Sequence, residues 1–333
     1  MANDSSNEPM LATRFSRHVG IRYPIVMGGM GPPSTSPELV AAVSDAGGLG
    51  ILGCSGLPPA RVAEMAAAIR AQTARPFGLN LLLFRANADD IAIMLAEKPA
   101  VASFAWARSD QDLAKIFAAA KDAGCLVMHM VSDVAESRRA AESGAEVIVA
   151  QGTEGGGHVG VMGTMPLVPQ VVDAVAPIPV LAAGGIADGR GLAAALMLGA
   201  EGALMGTRFL ATVEAPIPEA VKDVILQSDG YDTDLTEVPD IVSGRVWPGA
   251  FARTWRNAFL REWSGREWEL RKRLPEAAAA VAAAREAGDV QRMPILFGQD
   301  AGLIASIEPV ATVIETMVAE AEAQLRRFDR SSV

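Results

Sequence analysis

The sequence is short of aromatic residues, basic charge, cysteine and histidine, and each shortage excludes something. Phe, Trp and Tyr make up 5% of the 333 residues, too few for a base-stacking surface. Lys and Arg number 29 against 39 Asp and Glu, a formal charge of −10, so the cationic footprint that nucleic-acid backbones require is missing. Two cysteines, Cys54 and Cys125, supply neither a disulfide framework nor a four-cysteine zinc site. They read as buried thiols of a reducing compartment. The three histidines lack metal-ligand spacing, so no metal is expected. Residues 1–9 are polar, without the apolar core of a signal peptide, and no window of about 18 residues is apolar enough for a membrane span. The expectation is a cytoplasmic protein without nucleic-acid or membrane partners. A homodimer is compatible with it.

What is present is a rhythm. Eight short apolar runs recur: Pro24–Gly29, Leu49–Cys54, Phe77–Leu82, Ala102–Ala105, Leu126–Val131, Val147–Gln151, Pro179–Gly184 and Ala203–Phe209. Helical patterns lie between them, clearest over Pro37–Ala46, Pro59–Ala71, Asp110–Ala123, Val134–Ser143 and Arg190–Leu198. Gly47, Gly124, Gly144 and Gly199 suit left-handed helix ends. Alternation at this interval implies parallel strands with right-handed crossovers. Eight units favour an α/β fold closed as a (β/α)8 TIM barrel; an open doubly wound sheet is the alternative.

After Phe209 the rhythm breaks. Residues 215–293 hold four of the five tryptophans and an alanine-rich helical stretch, Glu276–Ala287. They are expected to form a mainly helical C-terminal insertion over the barrel mouth, between strand eight and the last helix, with the tryptophans as its core. The barrel would then comprise residues 1–214 and 294–333, its last helix running over Pro309–Phe328 and Asp329–Val333 fraying.

Barrel active sites lie at the C-terminal strand ends, with phosphate commonly bound after strands seven and eight. Here those loops read Ala183-Gly184-Gly185-Ile186 and Met205-Gly206-Thr207-Arg208. Glycine lets backbone N–H groups approach phosphate, and the helix start after Asp188-Gly189 would add a favourable dipole. The first strand also ends in small residues, Gly28-Gly29-Met30-Gly31, leaving room for a flat cofactor. Asn80 near a strand end would bond either a polar ring edge or a core carbonyl.

His18 reads as surface and His129, mid-strand, as a core histidine pointing inward or outward. His158 differs. It follows the sixth run in the loop Gln151-Gly-Thr-Glu-Gly-Gly-Gly-His158, where three glycines would hold an imidazole close to a ligand as a proton donor or acceptor. Glu154 in this loop either orients it or is solvated. Neither a GxSxG elbow nor a Walker-type loop is present.

The stretches PIVMGGMGPPSTSPELVAAVSDAGGLGILG, RPFGLNLLL, VIVAQGTEGGGHVG, VLAAGGIADGRGLAAALMLGAEGALMGTRFLAT and GQDAGLI resemble the nitronate monooxygenase family, formerly 2-nitropropane dioxygenases. Its relatives include FMN-dependent enoyl-ACP reductases and quinone reductases. The resemblance runs from about Phe15 to Phe328. It implies a barrel binding FMN non-covalently, with O2 and a small nitronate or nitroalkane as substrates. It places flavin contacts on Gly29, Met30, Asn80, Gly156, Gly184, Gly185, Ile186, Gly206 and Thr207, and the catalytic histidine on His158; Gly157 beside them, Gln151 at the end of the sixth run and Gln299 in the GQDAGLI block are further cofactor-binding candidates. Met27 stands where the family usually has glutamine, and Gly155 and Met130 also depart from its pattern.

Overall fold

The computed structural model describes residues 9–327; Phe328 and Asp329–Val333 lie outside the described residues. Eight parallel strands close a barrel: β1 (Ile25–Met27), β2 (Leu49–Gly53), β3 (Phe77–Leu82), β4 (Val101–Ala105), β5 (Leu126–Val131), β6 (Val147–Gln151), β8 (Val180–Ala183) and β9 (Ala203–Met205), with β7 (Gly157–Val159) outside the ring. Ile25 pairs with Ala203, so β9 returns to β1 and no edge remains. This is the expected TIM barrel, and the open sheet is excluded.

The five expected crossover helices form within three residues of their expected spans. The left-handed glycines follow, with φ of +94°, +82°, +96° and +91° at Gly47, Gly124, Gly144 and Gly199. Two crossover helices, Ala88–Ala96 and Thr164–Val175, escaped the sequence pattern. The second contains Pro166 and Pro169, which read as breakers; Pro166 sits in the first turn, where no intrahelical N–H is needed, and Pro169 lies inside the helix. The eighth run proves shorter than expected, because the backbone turns at Gly206 into a short helix, Thr207–Leu210.

Period-two alternation sorts the strands into two cores. Val26, Leu49, Ile51, Val101, Met128, Val147, Val149, Leu181 and Leu204 fill the barrel interior. Phe15 joins them from the helix Arg14–Val19, which is tied to the last crossover through Thr13 Oγ1 donating to the Glu201 carbonyl at 2.8 Å and Phe15 N–H donating to the Glu201 carboxylate at 2.9 Å. The opposite face of the strands packs the surrounding helices. With Met128 inside, His129 points outward, its ring 5.4 Å from that of Phe117. It is buried and its Nδ1 has no partner, so it is a core histidine but not a fully satisfied one. Burial pushes its pKa down to about 3.

That depression has a sign. The unfolded chain takes up a proton near pH 6.5 and the folded chain does not, so His129 favours folding above pH 6.5 and loses that contribution as pH falls towards 3. His129→Leu should flatten the acid limb of a stability-versus-pH curve by up to something on the order of 4 kcal/mol. Urea unfolding at pH 7 and pH 4.5 checks this; equal slopes with pH for the two proteins would contradict it.

Residues after β9 add β10 (Thr233–Thr236) and β11 (Phe251–Trp255) besides helices. These strands form an antiparallel sheet in the order β10-β11-β7, with Ala252 opposite His158. A separate apolar cluster, including Ile225, Phe259, Leu260, Trp263 and Leu270, continues past residue 293 through Ile295, Phe297, Ala301 and Ile304.

Candidate active site

The upper layer of the barrel interior is polar. Asn80 and Ser103 are register partners on β3 and β4, and the Asn80 amide donates to the Ser103 hydroxyl at 3.0 Å and carbonyl at 3.3 Å. The Asn80 amide nitrogen therefore takes the core-carbonyl alternative, while its Oδ1 makes no hydrogen bond among the described residues. Gly29 is packed directly against the Asn80 and Ile51 side chains, so a Cβ there would collide. Gln151 ends β6 with its Oε1 buried and without a partner. A buried acceptor left open at a strand end fits a ligand's N–H.

The glycine loops divide into two kinds. Gly184 and Gly185 have φ of +95° and +75°, and a Cβ on Gly184 would lie 2.7 Å from the Gly152 carbonyl oxygen. These two have backbone and packing reasons of their own. Ile186 beside them is buried. Gly206 has neither reason. Its φ is −114°, and a Cβ would meet only the Met30 side chain, 3.4 Å away. A glycine required by neither backbone nor neighbours preserves space for close approach of something else. A Cβ on Gly157 also meets nothing within 4 Å, although its φ of +76° already favours glycine. Gly156 backs onto Phe297 and Gly298.

The helix start after β8 does not offer the free dipole expected of it. Asp188 accepts from Gly191 N–H at 3.0 Å and Glu320 accepts from Gly189 N–H at 3.0 Å, so two carboxylates already occupy that end. Thr207 is buried, and its hydroxyl accepts from Gly298 N–H at 2.9 Å. Gln299 brings its backbone rather than its exposed side chain: its N–H donates to the Glu154 carbonyl at 2.9 Å. Its neighbour Asp300 is the buried member of that block. Burial pushes the Asp300 carboxyl up to about 7, against the opposing pull of Thr207 and Arg208.

His158 sits on β7 rather than in a loose loop. Pairing with β11 went unread because three glycines precede it. Its segment is anchored twice. Glu154 accepts from Thr164 N–H and hydroxyl, each at 2.9 Å, so it orients the loop. The buried Arg253 guanidinium donates to the Thr153 carbonyl at 2.9 and 2.7 Å. His158 Nε2 lies 2.8 Å from Asp240 Oδ1, with the two side chains 13% and 9% exposed. Trp247 stacks flat on the imidazole, ring centroids 3.4 Å apart and planes 10° from parallel. Trp247 in turn meets Phe84 at 4.6 Å and Trp106 edge-on at 6.0 Å, beyond the ends of β3 and β4. Its Nε1 is buried without a partner.

Sequence reasoning missed Asp240 and Trp247. Asp240 had a signal, a carboxylate inside the apolar run Val238-Pro-Asp-Ile-Val242. Trp247 also departs from the expected role of the tryptophans as insertion core; Trp263 fills that role. His18 is exposed and both cysteines are buried, as expected. Among the described residues no group of three His, Cys, Asp or Glu could hold a metal, and no helix is long and apolar enough to cross a membrane.

An open acceptor on Gln151 and a glycine at 206 that nothing in the chain demands fit the edge and phosphate of a flavin. Oxidoreductases of the flavin-dependent (β/α)8 class have this kind of mouth. The nitronate monooxygenase model matches residues 12–97 and 87–320, and the chain belongs to that family. A relative from Mycobacterium tuberculosis, named (3aS,4S,5R,7aS)-5-hydroxy-7a-methyl-1-oxo-octahydro-1H-indene-4-carboxyl-CoA dehydrogenase, is 42% identical over 71% of this chain. The match spans 66% of that relative, just under two thirds of its length. FabK from Thermotoga maritima superposes with a TM-score of 0.85 at 36% identity, covering 97% of this chain and 99% of that one. A nitroalkane oxidase from Streptomyces ansochromogenes gives 0.82 at 28% identity, covering 94% and 100%.

Proposed function

We propose that this protein is an FMN-dependent nitronate monooxygenase, oxidising alkyl nitronates such as propionate 3-nitronate with O2 to a carbonyl compound and nitrite. The observation that carries the reading is the His158–Asp240 pair, buried at the barrel mouth beneath Trp247. Asp240 accepting from Nε2 keeps the proton there and leaves Nδ1 as the basic atom. Nδ1 then removes the proton next to the nitro group of a neutral nitroalkane, and the imidazolium so formed holds the anionic nitro oxygens. Trp247 Nε1, a buried donor without an acceptor, suits one of those oxygens. Phe84, Trp106 and Trp247 keep water from the reacting carbon.

Gln151, Asn80, Met30, Gly206 and Thr207 would hold FMN, which supplies electron transfer from substrate to O2 when bound. Residues 215–293 serve as the lid in this reading, and the enzyme acts on small molecules in the cytoplasm. A second reading, NAD(P)H-dependent reduction of an enoyl thioester or quinone on the same flavin, draws support from the likeness to FabK and to the dehydrogenase. Nitrite assays separate them. FMN-loaded protein given propionate 3-nitronate in air should release nitrite without NAD(P)H. No release would refute the monooxygenase.

A further inference from the structure

The three ring contacts of Trp247 are not alike. It meets Phe84 at 4.6 Å with planes tilted by 46°, and Trp106 at 6.0 Å with planes 87° apart. Neutral aromatic rings prefer such tilted or edge-on arrangements, because their quadrupoles repel when the rings overlap face to face. The contact with His158 departs from that preference, with centroids 3.4 Å apart and planes 10° from parallel. Carbon atoms in contact lie about 3.5 Å apart, so this centroid distance leaves almost no sideways offset. Full overlap is a poor stack for two neutral rings and a favourable one for an aromatic face against a cation, and tryptophan offers the strongest such face.

The surroundings show what a cation there requires. The His158 and Asp240 side chains are 13% and 9% exposed, so an imidazolium formed by proton abstraction is largely cut off from water. Asp240 meets the ring only at its Nε2 edge, 2.8 Å away, and the face is left to Trp247. Other charged groups on the segments around His158 are engaged or placed elsewhere. Glu154 accepts from Thr164, Arg253 donates to the Thr153 carbonyl, and Arg245 is exposed. The indole is fixed beforehand by packing with Phe84, Trp106 and Ala250, so it need not reorganise when the charge forms.

We propose that Trp247 is a positioning residue whose indole face holds the His158 imidazolium formed when a neutral nitroalkane gives up its proton. In that step the C–H bond next to the nitro group breaks, its electron pair passes to the nitro oxygens, and the proton forms the Nδ1–H bond. The inference rests on the reading above, in which His158 is the base. It gives the indole face a part separate from that of Nε1, because the face acts on the imidazole and the N–H on the nitro group.

The test uses FMN-loaded protein and the variants Trp247→Leu and Trp247→Phe, with thermal melts to confirm folding. Rates are compared on nitropropane, which must lose a proton to His158, and on propyl 1-nitronate, which has lost it already. Trp247→Leu should slow nitropropane about tenfold more than the nitronate. Both variants lack Nε1, so its loss cancels between them, and Trp247→Phe should recover part of the difference because it keeps an aromatic face. Equal losses on the two substrates, or no recovery by phenylalanine, would overturn the proposal. A second readout needs no turnover. A protonated imidazole stacked on an indole quenches its fluorescence, so at pH 5.5 the emission owed to Trp247, wild type less Trp247→Phe, should be low. It should rise when His158→Gln is introduced into both proteins. Emission indifferent to His158 would also overturn the proposal. Quenching by His158 in a protein that releases no nitrite keeps the charged stack and removes the nitronate reading instead.

Discussion

His158→Ala is expected to give a folded, flavin-containing protein whose turnover of neutral nitroalkane falls about 10²- to 10⁴-fold, the usual worth of a positioned general base. Turnover of the preformed nitronate should fall much less, because its proton has already gone. Asp240→Asn should reproduce part of the loss on the neutral nitroalkane. The amide can turn its NH2 towards Nε2, moving the imidazole proton to Nδ1, where it blocks the basic atom. The pH profile should shift with that change, which a merely structural defect would not produce. Steady-state rates on nitropropane and propyl nitronate, across pH, give both comparisons. A His158→Ala enzyme as fast as wild type on the neutral substrate would remove the imidazole from the mechanism.

Gly206→Val is expected to fold and to lose the flavin altogether. The backbone there has φ of −114°, which valine accepts, and the only atoms near its Cβ belong to the flexible Met30 side chain. The protein itself therefore has room, and the side chain would fill the space kept for close backbone approach. Gly184→Val makes the contrast. It combines φ of +95° with a Cβ 2.7 Å from the Gly152 carbonyl oxygen, so it should lower thermal stability as well as flavin content. Flavin absorbance per protein, alongside a melting curve, separates the two effects. A Gly206→Val protein with full flavin content would move the cofactor's phosphate elsewhere.

The barrel was legible because its information is local. Eight apolar runs, the helical patterns between them and glycines at helix ends are each set by a few neighbouring residues. Strand parity then fixed which side chains enter the interior, although His129 had to await the observed register to be placed outside. The site was legible only in part. His158 and the glycine strand ends announce themselves in short motifs. Asp240, Trp247, Phe84 and Trp106 come from three distant segments, and nothing local says that they meet. The β7–β11 pairing that presents His158 is equally non-local, bridging Gly157–Val159 to Phe251–Arg253. The dipole after β8 was misjudged for the same reason: the second carboxylate capping that helix, Glu320, lies 131 residues further along the chain.

The most direct test of a flavin held beside the His158–Asp240 pair for nitronate oxidation is an anaerobic absorbance spectrum. Purified protein is mixed with propionate 3-nitronate in the absence of NAD(P)H. The account predicts an oxidised flavin band before mixing, loss of that band on mixing, and its return with nitrite when air is admitted. A band untouched by nitronate but bleached by NADH, or protein that takes up no flavin, would contradict it.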